Sequence, residues 1–388
     1  MSAETVPIGA EARIAAPARA WARRSGSGVG HVLMTADTAG GVWPHALTLA
    51  GALARRGVRT SLAVFTEGLA PSMRAEAWTV PGLQIFEGAF RLEWMEDPWE
   101  DLRRGGEWLL SLARVLRPDV IHLNGHVLGA LGWPAPAVVV THGSVCASWE
   151  AVHGVVAPAE WDRYRAEVRR GLLGAARVVA SSKALLAELE RHHGPVPGGS
   201  VVHPARTLTP VRGLDKEPWV LTAGRPRDAA TNVEVLERAA RTVPIRVAGP
   251  GQASGPDRPA GGLELVGPLG PEAMRMAMAR AAIYAHPAVY DASGLLPLEA
   301  GLEGCALVLS DIPALRELWD GAAVFVPPRD GEAWGTALRM LLAEAPRRRR
   351  LAEAARARAG TFRPERQAEE MLRVYEGARS DFRRVSSP

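Results

Sequence analysis

Two carboxylates stand eight positions apart in residues 290–301, YDASGLLPLEAG, on either side of a Ser-Gly pair. Pro297 suits the first turn of a helix, where its missing N–H costs nothing, so a helix should begin near Gly294 or Leu295 and carry Glu299. The backbone N–H groups around Ser293 to Leu296 then point from the positive end of that helix toward any anion seated there. Asp291 precedes the turn and Glu299 follows it, so both can face a cleft on either side of the anion. A purely local use is also open: Asp291 as the helix cap and Glu299 as a first-turn acid favoured by the helix dipole.

Other stretches fit phosphate chemistry of the same kind. D-T-A-G-G-V at 37–42 is a glycine turn between an apolar strand and a helix, which lets backbone N–H groups approach a phosphate. T-A-G-R at 222–225 ends a strand on a glycine followed by a permanent cation, Arg225, placed where a diphosphate could sit. VAGPG at 247–251 and VGPLG at 266–270 repeat the theme of a strand followed by glycine. A dinucleotide site would need G-x-G-x-x-G after the first strand and an acid ending the second, and the chain supplies only Glu67 without the glycines.

The elements that must carry these turns alternate between strand and helix. HVLMTA (31–36) reads as a buried strand, the segment from Trp43 to Gly57 as a helix with apolar residues at 46, 47, 49, 50, 53 and 54, and VRTSLAVF as a second strand. The pattern continues with a helix at about 99–116, strands in DVIHLNG and AVVVTHG, a polar helix at about 157–175 and a strand in ARVVASS. It restarts after residue 208 with WVLTAGR, a helix at about 229–241, PIRVAGP, LELVGPL, a helix at about 271–281, AAIYAHP, the helix from 295, ALVLSD and AAVFVPP. Such alternation predicts an α/β chain with two doubly wound parallel sheets and a cleft at their strand ends. The expected division is a flexible extension over 1–30, an N-terminal domain over 31–208, a second over 209–362, and a final helix and tail over 363–388.

At 388 residues, 47% hydrophobic and 23% charged, the chain has the size and composition of two ordinary globular domains. No apolar run approaches the roughly 20 residues of a membrane span, and the expected location is cytoplasmic. Its two cysteines, Cys146 and Cys305, have no metal-type spacing. The net charge of +4 includes the run Arg347 to Arg350, read as a solvated helix face or as peripheral contact with an anionic membrane surface. No nucleic-acid-binding pattern accompanies that charge.

The segment YDASGLLPLEAGLEGCALVLSDIPALRELWDGAAVFVPP resembles the donor-site signature of glycosyltransferase family 4, whose usual form is E-P-F-G-L-x-x-x-E. ADTAGGVW, the THG strand end and the AGR turn fall in the family's order, so the resemblance spans residues 31 to about 375. It implies the GT-B fold of two Rossmann-like domains, and transfer of a sugar from a nucleoside diphosphate to a saccharide, lipid-linked or small-molecule acceptor with retention. It implies no metal or other cofactor. By the same resemblance, Glu299 would hold the donor ribose, and Gly294, Leu295 and Leu296, with Ser293, would contact the sugar and diphosphate. Arg225 would neutralise the leaving group, Gly40 and Gly41 would approach it from the other domain, Gly267 and Leu269 would border the base, and His142 would lie beside the transferring sugar. Asp291 would be the first acid of the signature.

Two positions depart from the family pattern. The first acid is Asp291 rather than Glu and is followed by Ala-Ser; the second diphosphate cation, usually Lys, is Thr231, with Arg227 nearby as a substitute. Losing one charge-assisted contact costs about 1.5–3 kcal/mol, or one to two powers of ten in rate. The departures fit an enzyme with a reshaped sugar pocket or a catalytically weak relative that binds a sugar nucleotide or a partner. On the acceptor side stand His122, Asn124 and His126 of IHLNGH, and Trp149 and His153 of SWEAVHG; each is equally readable as a structural residue. Ser181 and Ser182 are read as caps of the following helix.

Overall fold

The computed structural model describes residues 28–225, 228–250 and 262–386. Most of the expected N-terminal extension, and Arg227, lie outside the described residues. The first half contains β1 (His31–Asp37), α1 (Val42–Arg55), β2 (Arg59–Phe65), α2 (Pro71–Trp78), β3 (Gln84–Gly88), α3 (Trp99–Leu116), β4 (Val120–Leu123), β5 (Ala137–Val140), α4 (Val145–His153), α5 (Asp162–Gly174), β6 (Arg177–Ala180), α6 (Lys183–His193) and β7 (Gly199–Val201). The second half contains β8 (Glu217–Ala223), α7 (Glu237–Ala240), β9 (Ile245–Ala248), β10 (Glu264–Gly267), α8 (Pro271–Arg280), β11 (Ala281–His286), α9 (Leu295–Leu302), β12 (Ala306–Ser310), α10 (Pro313–Trp319), β13 (Val324–Val326), α11 (Gly331–Ala343), α12 (Ala345–Ala359) and α13 (Pro364–Ser386).

The strands form two parallel sheets, ordered β3-β2-β1-β4-β5-β6-β7 and β10-β9-β8-β11-β12-β13. Helices cover both faces, which is why β1, β11 and β12 are buried at every residue and read as continuous apolar runs rather than alternating ones. The chain winds outward from β1 through β2 to β3 and then returns to place β4 on the other flank of β1. The second sheet does the same between β8 and β11. Each reversal leaves a crevice past the strand ends, and the glycine turns fall at these two crevices.

One expected helix differs. In place of a helix over about 229–241 there is a loop to Asn232, a 3-10 turn at Val233–Leu236 and only then α7. Asn232 adopts a left-handed conformation (φ 54°), and its amide donates to Pro287 O and Pro328 O at 2.9 and 2.8 Å, so tertiary bonds at that residue displace the helix. Likewise, α5 begins at Asp162 rather than near 157, after Pro158 and a 3-10 turn at Ala159–Trp161.

α13 crosses back to the first half. Ala368, Met371, Leu372, Tyr375 and Ala378 enter the core that α1 shares with β1 and β2. Burial of Tyr375 and Leu372 contributes about 1.5–3 kcal/mol each to that crossing. The backbone thus passes between the halves twice, near residue 203 and near residue 362, and the passages touch: the rings of His203 and Phe362 lie 5.9 Å apart and Gln367 Nε2 donates to His203 O at 3.3 Å.

Candidate functional site

The two crevices meet. Added to Gly41, a Cβ would come within 2.8 Å of Leu295 Cδ1, so the glycine turn after β1 lies close against the start of α9. Gly40 holds a left-handed φ of 61° in the same turn. Between the halves lies a cavity of about 430 Å³ that brings together Gly40, Gly41, Asn124, His126, His142, Asp291 and Ser293. Arg225, Thr231, Gly267, Leu269, Gly294, Leu295, Leu296 and Glu299 do not line it; they stand in the second half, around β8, β10 and α9.

That side is built on close backbone approach. A Cβ on Gly249 would meet Gly224 O at 2.2 Å, and Gly249 N donates to Gly267 O at 3.0 Å, so the ends of β8, β9 and β10 form one glycine-lined edge. Arg225 is exposed there, and its guanidinium makes no ion pair among the described residues. Thr231 does not act as a cation; its hydroxyl closes the loop by donating to Arg225 O at 3.1 Å. The same loop is tied to the β11–α9 connection through Val289 N and Ala230 O at 2.9 Å.

Asp291 organises the turn into α9. Its Oδ1 accepts from Ser293 N at 2.8 Å and Gly294 N at 2.9 Å, which frees Gly294 to cap the helix at φ 61°; Oδ2 accepts from His286 Nε2 at 2.8 Å. Burial alone would raise this carboxyl, but the His286 bond and charge and the two backbone N–H groups outweigh it and pull the pKa down to about 2. The acid therefore closes the turn just ahead of α9, bonding the N–H groups of Ser293 and Gly294 rather than those of the first helical turn, while lying on the cavity wall. Because its folded pKa is below the ordinary 3.8, its stabilisation is present above about pH 4 and is lost as pH falls toward 2, a contribution of about 2 kcal/mol. Asp291→Asn should lower the denaturant midpoint at pH 6, with the gap from wild type shrinking at pH 3 in equilibrium unfolding curves.

Glu299 sits one turn into α9 with Oε1 2.5 Å from Arg206 Nε. Burial raises its pKa, and the Arg206 charge only partly offsets that. Arg206 also reaches Pro44 O on α1 at 3.5 Å, so this pair ties α9 to the first half. Three further contacts do the same. Ser144 N donates to Tyr290 Oη at 3.0 Å, Ser181 Oγ donates to Ala292 O, and Glu317 of α10 caps α6 by accepting from Lys183 N and Ala184 N at 2.8 and 2.9 Å. Ser182 caps α6 from its own side, through Leu185 N, whereas Ser181 does not.

His142 belongs to a buried cluster. Asn124 Nδ2 donates to Thr35 O at 2.6 Å, which turns Oδ1 toward His142 Nε2 at 2.7 Å and His122 Nε2 at 3.1 Å, so both imidazoles present Nε2–H to it. Burial first, then the neighbouring His45 and His122, hold His142 well below the ordinary histidine range. His45 falls to about 4 and His122 to about 3, again chiefly through burial. His142 is thus neutral, with Nδ1 left as an acceptor. His45, whose ring stands 4.8 Å from that of His142, was not legible as a site residue in the helix pattern.

His126 is pinned rather than free: Nδ1 lies 2.5 Å from Glu93 Oε1, Nε2 lies 2.8 Å from Thr141 Oγ1, and Glu93 Oε2 accepts from His126 N and Val127 N. Trp149 stacks on His153 at 4.2 Å and lines a neighbouring chamber of about 510 Å³, separated from the first by His142, Gly143 and Tyr290. Glu93, Arg206 and Glu317 also shape this region or tie the halves together, and no motif in the sequence marks them. Asp37 and Tyr290 open the stretches D-T-A-G-G-V and YDASGLLPLEAG without standing out there by residue type. Among the described residues no group of His, Cys, Asp and Glu could hold a metal ion, and no helix is long and apolar enough to cross a membrane.

Residues 39–206 match the model of Glycosyltransferase Family 4, and residues 217–344 match that of Glycosyl transferases group 1. Similar curated proteins are the D-inositol 3-phosphate glycosyltransferases of Xylanimonas cellulosilytica and Nocardia farcinica. The first is 28% identical, covering 87% of this chain and 91% of that protein; the second is 26% identical, covering 89% and 86%. Among solved structures, sucrose-phosphate synthase from Thermosynechococcus elongatus superposes with a TM-score of 0.73 at 18% identity, covering 92% of this chain and 100% of that one. HepE of Anabaena in complex with UDP-glucose gives 0.66 at 14%, covering 88% and 98%. Both share the GT-B architecture of two facing parallel-sheet domains.

Proposed function

We infer that this chain, which belongs to the family 4 and group 1 glycosyltransferases, moves a hexose-type sugar from a nucleoside diphosphate to an acceptor hydroxyl with retention at the anomeric carbon. The observation that carries this reading is the meeting of the two crevices: the N-terminal end of α9 and Arg225 on one side, the Gly40–Gly41 turn and the His142 cluster on the other. A donor diphosphate seats on the N–H groups at the start of α9, beside Arg225, and the ribose hydroxyls donate to Glu299. Breaking the bond from the anomeric carbon to the phosphate oxygen leaves oxocarbenium character on the sugar and new negative charge on the diphosphate, which the helix end and Arg225 stabilise. The acceptor oxygen bonds to the same face of that carbon as its proton passes to the departing diphosphate oxygen, which gives retention. His142 Nδ1 accepts from a sugar hydroxyl and orients the ring.

HepE's complex with UDP-glucose makes a uridine donor the first to test. The relatives are named for D-inositol 3-phosphate, so that phosphorylated polyol is the comparison acceptor for this chain. The reading needs neither metal nor other cofactor, and it leaves room for peripheral membrane contact through the arginines of α12. Thermal denaturation with UDP-, GDP-, ADP- and dTDP-sugars tests it. One of them should raise the melting temperature, and Arg225→Ala should lower kcat with that donor about 10- to 100-fold, the equivalent of one charge-assisted contact. Indifference to every nucleotide would overturn the reading.

A further inference from the structure

The acceptor side of the 430 Å³ cavity has a distinct chemical character. Phe65, Leu92, Trp94, Leu102, Leu123 and Leu128 form a broad apolar wall. Among the described residues no lysine or arginine lines it. Its polar side chains are mostly engaged already. Both oxygens of Glu93 are taken by His126 and two backbone N–H groups, and Asn124 is filled by Thr35, His122 and His142. Asp37 is the exception. It ends β1 at 6% exposure, its Oδ1 accepts from Ala39 N at 2.8 Å, and its Oδ2 has no partner among the described residues. With His142 Nδ1 it leaves the cavity two free side-chain acceptors and no cation.

A hydroxyl group suits such a surface because it can donate to Asp37 while the rest of the molecule lies on the apolar wall. A phosphate does not: its oxygens would face a carboxylate with no compensating charge. Resting on the transferase reading above, we propose that the acceptor is an uncharged, hydroxyl-bearing molecule with an apolar face, and that Asp37 holds its attacking hydroxyl and turns phosphorylated acceptors away. The wall fits an aryl or alkyl glycoside, or an aglycone, better than a bare polyol.

The titratable groups that share the cavity lining with Asp37 are Glu93, His126 and His142 from the first half and Asp291 and Tyr290 from the second. Burial, joined by the Glu93 charge and opposed by the Ala39 N–H, raises Asp37 to about 6. Asp37 therefore gains a proton as pH falls from 7 to 5, and acceptor binding weakens over that window. Asp37→Asn retains the Ala39 bond and the shape of the turn, so it separates this titration from those of the neighbours.

The test uses phenyl β-D-glucopyranoside and its 6-phosphate, titrated onto the full chain and read by tryptophan fluorescence, since Trp94 lines the wall at 48% exposure. The neutral glycoside should bind at least about 10-fold more tightly than the phosphate. That preference should shrink below about 3-fold in Asp37→Asn and reverse in Asp37→Lys. Neutral-glycoside binding should weaken from pH 7 to 5 in wild type and stay level in Asp37→Asn. Equal or tighter binding of the phosphate by wild type, or saturable binding of neither, would overturn the inference. Stabilisation by a nucleotide sugar together with phosphate preference would reject this acceptor assignment and keep the transferase. A neutral preference without any nucleotide effect would do the reverse.

Discussion

Glu299→Ala should lose donor binding by at least about 10²-fold and should also destabilise the fold. Two charge-assisted bonds to a ribose diol contribute about 1.5–3 kcal/mol each, so their joint loss is read as a Kd beyond an ordinary titration. The second effect comes from the partner. Arg206 and Glu299 are 12% and 16% exposed, and removing one member leaves a desolvated charge behind, a loss of about 3–5 kcal/mol. The two effects separate in a double-mutant cycle. Arg206→Met with Glu299→Ala should recover most of the melting temperature and none of the nucleotide affinity. Recovery of both would reduce Glu299 to a structural ion-pair partner and remove it from the donor site. Recovery of neither would mean that the pair does more than neutralise itself, and Pro44 O, the other partner of Arg206, is then the next contact to examine.

His142→Ala should reduce kcat by about 10²-fold while changing the thermal shift by nucleotide alone very little. In the proposed role the residue orients the sugar and not the base or diphosphate, and misplacing a reacting group by about 1 Å is enough for a loss of that size. The tautomer matters as well as the ring. Because Asn124 Oδ1 accepts the Nε2–H, Asn124→Asp should also disturb the reaction, by giving two imidazoles a charge that raises their proton affinity. Burial and the neighbouring imidazoles hold the wild-type histidine well below the ordinary histidine range, so the pH profile should show no inflection from it near neutral pH. A wild-type inflection near pH 6.5 that disappears in His142→Ala would contradict the neutral assignment.

Much of this architecture was legible because parallel strands buried on both faces announce themselves. HVLMTA, AAIYAHP and ALVLSD are largely apolar with no alternation of polar residues, and the glycine after each of several strands marks where the backbone must come close to something. The helix expected at 229–241 was misread because Asn232 answers to Pro287 and Pro328, 55 and 96 residues away, and no local pattern encodes that. α4 was not anticipated, since it starts directly after the THG turn and its Ser144 hydroxyl is drawn to His193 instead of signalling a cap. The candidate site divides in the same way. Glycine turns, Glu299 and His142 stand in recognisable stretches, whereas Arg206 meets Glu299 across 93 positions and Glu93 meets His126 across 33. Asp37 lies inside a noticed motif, yet its chemistry depends on burial at a strand end, which residue type alone does not reveal. The sequence leaves Asp291 open between cap and ligand; its two N–H bonds fall on Ser293 and Gly294, ahead of the helix, so it holds the turn rather than capping α9.

The double passage of the backbone between the halves has a mechanical consequence. One connection would act as a ball joint and let the domains tumble, but two that touch at His203, Phe362 and Gln367 act as adjacent pins of a door hinge, leaving chiefly one axis of swing. Another tie between the halves lies away from those two passages in sequence. There Arg329 of the second half holds the carbonyls of Ala151 and Val152 at the end of α4. That contact is the latch side of the door. A protease cut in the linker near residue 210 would remove one pin without separating the leaves, because α13 remains bolted into the first core.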